Sequence, residues 1–243
     1  MNSIEILLID LAIKMKQSRL WTKDFIVVST VNFLISLIFY ILMVTIAVYA
    51  VETYNASMSQ AGLSTGVFII GAMIGRLSIG SFIDSIGRKR TLLIGLLMFM
   101  LATLLYFVKV DTIFLLFSRF IHGMAIGIAS TAAGTIAAQI IPKAKEGEGI
   151  SYYSMSKTFA TAIGPFIGIF MTSNTSYEII FSLCFILGLI SFVTAGFIRV
   201  PPLDKLRKIN APNEWLVSKF IELKVLPIAI IVLAIAFCYS SVL

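Results

Sequence analysis

The stretch "GSFIDSIGRKR", residues 80–90, decides how this chain is read. It sets one carboxylate, two glycines and three cations into a break between two strongly apolar runs. Those runs belong to a chain of 243 residues that is 59% apolar and only 13% charged, with 19 Phe, a composition far from that of a soluble domain. About 20 apolar residues in a helix cross a hydrocarbon core. Residues 25–49, 60–83, 91–108, 113–138, 150–171 and 178–198 each meet that requirement, so six spans are expected. A seventh apolar run, 226–243, reaches the end of the chain after 18 residues and is expected to be an incomplete helix.

The cations around the opening stretch follow a pattern. Of the 19 Lys and Arg, fifteen fall before span 1 or between spans 2 and 3, 4 and 5, and 6 and 7, while the alternate loops hold only Lys109. That asymmetry is the positive-inside signal, and it places the N-terminus and the even-numbered loops in the cytoplasm of a multi-pass cell-membrane protein. The net charge of +7 therefore reports topology, and a nucleic-acid partner is excluded from the reading. Cys184 and Cys238 sit inside apolar runs and read as packing residues.

The spans divide the chain into an N-terminal cytoplasmic segment (1–24), a six-helix membrane half (25–198), a cytoplasmic linker (199–225) and the incomplete seventh helix (226–243). The first 14 residues lack a basic lead and are no signal peptide. Ile4, Leu7, Leu8 and Leu11 allow a short amphipathic helix there, and a start at Met15 is the alternative. The linker carries Pro201, Pro202, Pro212 and six cations, and reads as a hinge between two six-helix halves. An amphipathic surface helix over 215–223 is the other reading.

Small residues recur at fixed spacing inside the spans. Gly62 and Gly66, Gly71 and Gly75, then Gly123, Gly127 and Gly134, and in span 5 Ala160, Gly164 and Gly168 fall on shared faces, where helix backbones approach closely. Span 1 carries a polar stripe, Ser29, Asn32, Ser36 and Tyr40, expected to face a neighbouring helix or a water-filled cavity.

The opening stretch puts Asp84 at a helix C-terminus, where the dipole disfavours a carboxylate, so a cation or a helix N-terminus is expected to face it. Gly80 is expected to permit close packing, and Gly87 to break the helix. With these residues in place the chain resembles the major facilitator superfamily, whose signature between spans 2 and 3 is G-x-x-x-D-[RK]-x-G-R-[RK]-[RK]. Gly80, Asp84, Gly87, Arg88, Lys89 and Arg90 match, and Ser85 stands where a basic residue is usual. The resemblance implies a conformational latch built on Gly80, Asp84, Gly87, Arg88 and Arg90. It also implies an all-α fold of twelve helices, of which this chain supplies the six-helix N-terminal half and a truncated seventh helix. A C-terminal half is then an expected partner.

Span 4 adds "RFIHGMAIG", which fits the family's R-x-x-[QH]-G pattern at Arg119, His122 and Gly123. The resemblance implies a role for Arg119 in proton transfer. His122 either titrates near neutrality or packs in the bundle. Span 5 carries "GPFIG", Gly164, Pro165 and Gly168, similar to the antiporters' glycine-rich pattern, with Ile169, Ala160 and Ser151 in place of three of its glycines. This similarity implies an exporter.

Three cations lie within spans: Arg76, Arg119 and Lys157. By helix rise Arg119 is roughly 9 Å inside its span, and Arg76 and Lys157 are about 12 Å inside theirs. Lys157 shares a face with Ala160 and Gly164 and is expected to point into the bundle. The span interiors hold no Asp or Glu. Two readings stay open. Either Asn32, Ser36, Tyr40, Arg76 and Lys157 line a positive cavity for an anionic or zwitterionic solute, or acidic residues of the other half pair the cations.

No phosphate-binding loop, Cys/His metal spacing or membrane carboxylate pair is found, so no enzyme, metal or cofactor is expected. The expected function is proton-coupled efflux of a small solute by alternating access, its partners a small-molecule substrate, the proton and the lipid bilayer. The alternatives are a proton-coupled uptake symporter for a small polar metabolite, and a non-transporting fragment or scaffold.

Overall fold

The computed structural model describes residues 19–80, 82–201 and 226–240. The expectations for residues 1–18, for a surface helix over 215–223 and for 241–243 lie outside the described residues. The chain divides after Pro201 into two units, taken in turn.

The first unit is an up-and-down bundle of long helices: α1 (Lys23–Tyr54), α2 (Met58–Gly80), α3 (Arg88–Leu104), α4 (Thr112–Ile140), α5 (Glu146–Asn174) and α6 (Tyr177–Gly196). A single helical turn, Ile83–Ile86, joins α2 to α3, and α3 tightens into a 3-10 turn over Leu105–Phe107. No strand occurs among the described residues, and the protein is all-α.

The boundaries follow from side chains that satisfy helix-end amides. Thr22 Oγ1 accepts from the Phe25 N–H (3.2 Å) and Asp111 Oδ1 from the Phe114 N–H (2.7 Å). Before α2, the Ser57 N–H donates to Gln60 Oε1 while the Gln60 N–H donates to Ser57 Oγ, a reciprocal capping box. Helix α1 ends at Asn55 in the left-handed region (φ +51°), with the Ala56 N–H closing on the Ala50 carbonyl.

Among the described residues, five helices are long and apolar enough to cross a membrane: Lys23–Tyr54, Met58–Gly80, Arg88–Phe107, Thr112–Ile140 and Tyr177–Gly196. The expected span 150–171 forms α5, but α5 falls outside that set. Ser151, Ser154, Ser156, Lys157, Thr158 and Thr161 make its first half polar.

Close helix pairs hold the bundle. In α2 and α4, a Cβ added at Gly71 or Gly75 would lie 2.3 Å from the carbonyl oxygen of Phe120 or Met124. In the same pair, one added at Gly123 or Gly127 would meet the Phe68 or Ala72 carbonyl at 2.1 or 2.3 Å. Backbone therefore lies on backbone, as association without a hydrophobic drive between helices requires. In α1 and α5, a Cβ at Gly164 would meet Tyr40 Cβ, and one at Gly168 would meet Val44 Cγ2, each at 2.5 Å. Ala160 is fully buried in the same stripe, and the helix passes through Pro165 without a break.

The small-residue pattern is not uniformly a packing pattern. At Gly62, Gly66, Gly80 and Gly134 an added Cβ would meet nothing within 4 Å, so these four are no close-packing sites among the described residues. The expectation that Gly80 permits close helix packing is thereby corrected. Cys184 is fully buried.

The second unit contains α7 (Leu226–Ser240), whose side chains from 227 to 235 are exposed.

Candidate functional site

A cavity of about 750 Å³ opens between α1, α2, α4 and α5. Asn32 and Ser36 reach it from α1, Arg76 from α2, Ser130 and Thr131 from α4, and Ser154, Lys157 and Thr158 from α5. Ile35, Phe39, Phe68, Ile69, Met73 and Ile126 supply its apolar wall. The lining carries two cations and no carboxylate. Asn32 Nδ2 donates to Ser156 Oγ (2.8 Å), fixing the amide across the α1–α5 contact.

Of the five residues expected at a cavity, Asn32, Ser36, Arg76 and Lys157 line this one, and Tyr40 does not. Tyr40 is held at the α1–α5 interface, its Cβ against Gly164 and its ring against Phe39. Lys157 also differs from expectation, being exposed to the cavity and not buried in the bundle. The buried stripe of α5 runs through Gly149, Ala160, Gly164 and Gly168, with Ser156 beside it, and Lys157 is one position around the helix from Ser156. Arg76 is likewise exposed.

Behind the cavity wall lies a buried polar cluster. Arg119 of α4 is 0% exposed, and its guanidinium sits 4.2 Å from the centroid of the Phe68 ring. Its Nε donates to the Ser64 carbonyl (3.4 Å) and its Nη1 to the Tyr106 hydroxyl (3.3 Å). That hydroxyl is 2.8 Å from His122 Nδ1. His122, one turn along α4, is fully buried among Phe68, Phe99 and Tyr106. Arg119 Nη2 and His122 Nε2 have no hydrogen-bond partner among the described residues.

At the basic end of the bundle, Gly87 takes a positive φ (+98°), which only glycine adopts without strain, and it turns the chain into α3. The three cations of the opening stretch thus form the first turn of α3, the wrong end of a helix for positive charge. Compensation comes from outside that helix. Arg88 Nε pairs with Asp84 Oδ1 at 3.0 Å, and its Nη1 donates to Gln139 Oε1 at 2.8 Å. Lys89 Nζ donates to the Gly196 carbonyl at the C-terminus of α6 (2.7 Å), where a cation is favoured. Gln139 Nε2 in turn donates to the Pro201 carbonyl (2.8 Å). Asp84 is therefore faced by a cation, Arg88, while Arg90 is exposed and Gly80 borders open space.

Tyr106, Phe68 and Gln139 carry much of this geometry and were not singled out from the sequence. An aromatic near the end of an apolar run reads as an interfacial anchor, and nothing in its spacing shows that Tyr106 turns inward.

With this geometry in view, the comparisons are specific. The chain is 26% identical over 147 residues to an uncharacterized MFS-type transporter, MJ1560, of Methanocaldococcus jannaschii, covering 60% of this chain and 38% of that one. It is 29% identical over 157 residues to the uncharacterized MFS-type transporter YtbD of Bacillus subtilis, covering 65% and 39%. It is 28% identical over 165 residues to the quinolone resistance protein NorA of Staphylococcus aureus, covering 63% and 42%. The match thus spans about two fifths of the length of each of these relatives. The family model of the Major Facilitator Superfamily matches residues 28–243, and the chain belongs to that family.

Proposed function

We propose that this chain belongs to a secondary active transporter that exports a small solute across the cell membrane in exchange for protons, by alternating access. The observation that carries the reading is the position of Phe68. It lines the solute-sized cavity and also holds the buried Arg119 on its ring, so one side chain touches both a solute site and an intramembrane cation. A solute that moves Phe68 changes the surroundings of Arg119, and the reverse holds by linkage. Export over uptake is supported by the relative named for quinolone resistance and by the Gly164, Pro165, Gly168 stripe.

In this proposal residues 25–198 form one six-helix half with a cytoplasmic N-terminus, and 199–225 link it to a second half. Asp84, Gly87 and Arg88, tied to Gln139 and Pro201, act as a latch that resets between the two access states.

The test is transport into inside-out vesicles carrying the full-length gene product or its Arg119→Ala variant, with a panel of solutes. Accumulation driven by an acidic interior and lost in the variant supports the reading. Accumulation that needs no proton gradient overturns the coupling.

A further inference from the structure

We infer that Tyr106 holds His122 in one protonation geometry: a neutral ring with its proton on Nε2, and with the Nδ1 lone pair occupied by the Tyr106 hydroxyl. The inference comes from the hydrogens shared among Arg119, Tyr106 and His122.

Arg119 has donors and no acceptor, so at 3.3 Å its Nη1–H donates and the Tyr106 oxygen accepts. The phenolic proton then needs an acceptor of its own. Among the described residues the one within hydrogen-bond distance is His122 Nδ1, at 2.8 Å. Nδ1 must therefore be bare. Were it protonated, in the other tautomer or in the imidazolium, it would donate to an oxygen already receiving Arg119, and the phenolic proton would have no acceptor. Tyr106 is 1% exposed and His122 0%, so water offers no easy substitute and the orphaned donor would carry its full desolvation penalty.

The far side of the ring does not oppose this. Nε2 has no hydrogen-bond partner, and the imidazole lies among the rings of Phe99 (4.2 Å between centroids) and Phe68 (5.7 Å, nearly perpendicular). Nε2 is unpartnered in either tautomer, but protonation of Nδ1 would orphan the phenolic proton as well, so the Nε2–H form leaves fewer polar groups unpaired.

Tyr106 is in position to do this because it sits in the 3-10 turn that ends α3, where the tightened backbone carries the side chain inward. Its carbonyl accepts from Tyr49 Oη (3.4 Å) and its ring packs on Phe181, so helices α1 and α6 steady it. Tyr106 is a positioning residue in this scheme. It does not line the cavity, and it determines which nitrogen of His122 carries the proton. The tautomer rests on this geometry alone. Its consequence rests on the proton-coupled reading: His122 accepts a proton at Nδ1 only after the end of α3 moves Tyr106 away from α4, so proton entry is tied to the movement of a helix end.

The experiment is long-range proton–nitrogen NMR of the full-length protein labelled with 15N only in histidine, the His122→Gln variant identifying the relevant signals. At neutral pH the expected spectrum shows a protonated Nε2 and a bare Nδ1. In Tyr106→Phe the Nδ1–H form gains population, a change that a packing role for Tyr106 would not produce. A wild-type spectrum with Nδ1 protonated overturns the proposal, as does a folded Tyr106→Phe protein with an unchanged pattern. Should that variant not fold, the wild-type spectrum alone decides. Transport without a proton gradient would sink the coupling reading and leave this spectrum as it is, so the two failures are distinguishable.

Discussion

Phe68 presents its ring to the Arg119 guanidinium at 4.2 Å, with both side chains buried and no carboxylate in contact among the described residues. A cation in that position is tolerable only if the π face, the Ser64 carbonyl and the Tyr106 hydroxyl together replace much of its hydration. A double-mutant cycle with Phe68→Leu and Arg119→Met, read by thermal unfolding in detergent, is expected to give a coupling of about 1–2 kcal/mol. Additive effects would mean that the ring only packs and does not carry the charge.

Glycine substitutions should separate two classes that look alike in sequence. Gly123→Ala places a methyl 2.1 Å from the Phe68 carbonyl oxygen, so α2 and α4 must part. The expected loss is about 1–3 kcal/mol, the usual range for overpacking. Gly134→Ala, whose Cβ meets nothing within 4 Å, should leave stability unchanged or slightly raised, because alanine is the better helix former. Equal unfolding temperatures for the two variants would contradict the packing described for α2 and α4.

That contrast also shows what the sequence conveys. Gly123, Gly127 and Gly134 share a face by spacing, and spacing reports direction around a helix, not the distance to a neighbour. Gly127 meets the Ala72 carbonyl, while Gly134, two turns on, opens onto the cavity. The six helices were legible because apolar length and charge asymmetry are properties of the chain itself. Asp84 was legible as a carboxylate that needed a cation, and Arg88 is its partner, although Asp84 stands in the separate turn Ile83–Ile86 and not at the C-terminus of α2 as expected. Gln139 and Tyr106 were not, since each matters through contacts with residues distant in sequence, 51 positions away for Arg88 and Gln139. Tyr40 was misplaced for a related reason: it shares the polar stripe of α1, but Gly164 brings α5 hard against it.

The Asp84–Arg88 pair gives a prediction in which stability and activity part. Asp84 is 56% exposed, so the pair contributes at most about 1 kcal/mol to the fold. Asp84→Asn should therefore shift unfolding little while slowing vesicle transport about tenfold, equivalent to about 1.4 kcal/mol on the access step. Gln139→Ala should act in the same direction, because it removes the link from Arg88 to the Pro201 carbonyl. Arg90→Ala, at an exposed position, should transport nearly as the parent does. Normal transport by Asp84→Asn would remove the latch from the proposal.

The cavity makes the last prediction, about charge selection. Arg76 and Lys157 face the same space, and no lining residue is acidic, so two positive charges stand without a carboxylate beside them in the cavity. An anionic aromatic solute would pair with them while its body rests on Phe39, Phe68 and Met73. Matched xanthene dyes offer nearly the same ring system with opposite charge, fluorescein as the anion and rhodamine 6G as the cation. Binding by fluorescence anisotropy to the full-length protein in neutral-lipid nanodiscs should favour fluorescein. Arg76→Gln and Lys157→Gln should each weaken it about tenfold, or about 1.4 kcal/mol. Arg76→Lys, which keeps the charge, should lose much less. Tighter binding of the cationic dye, or indifference to both substitutions, would show that carboxylates elsewhere in the protein already neutralise these residues and that the cavity does not select for anions.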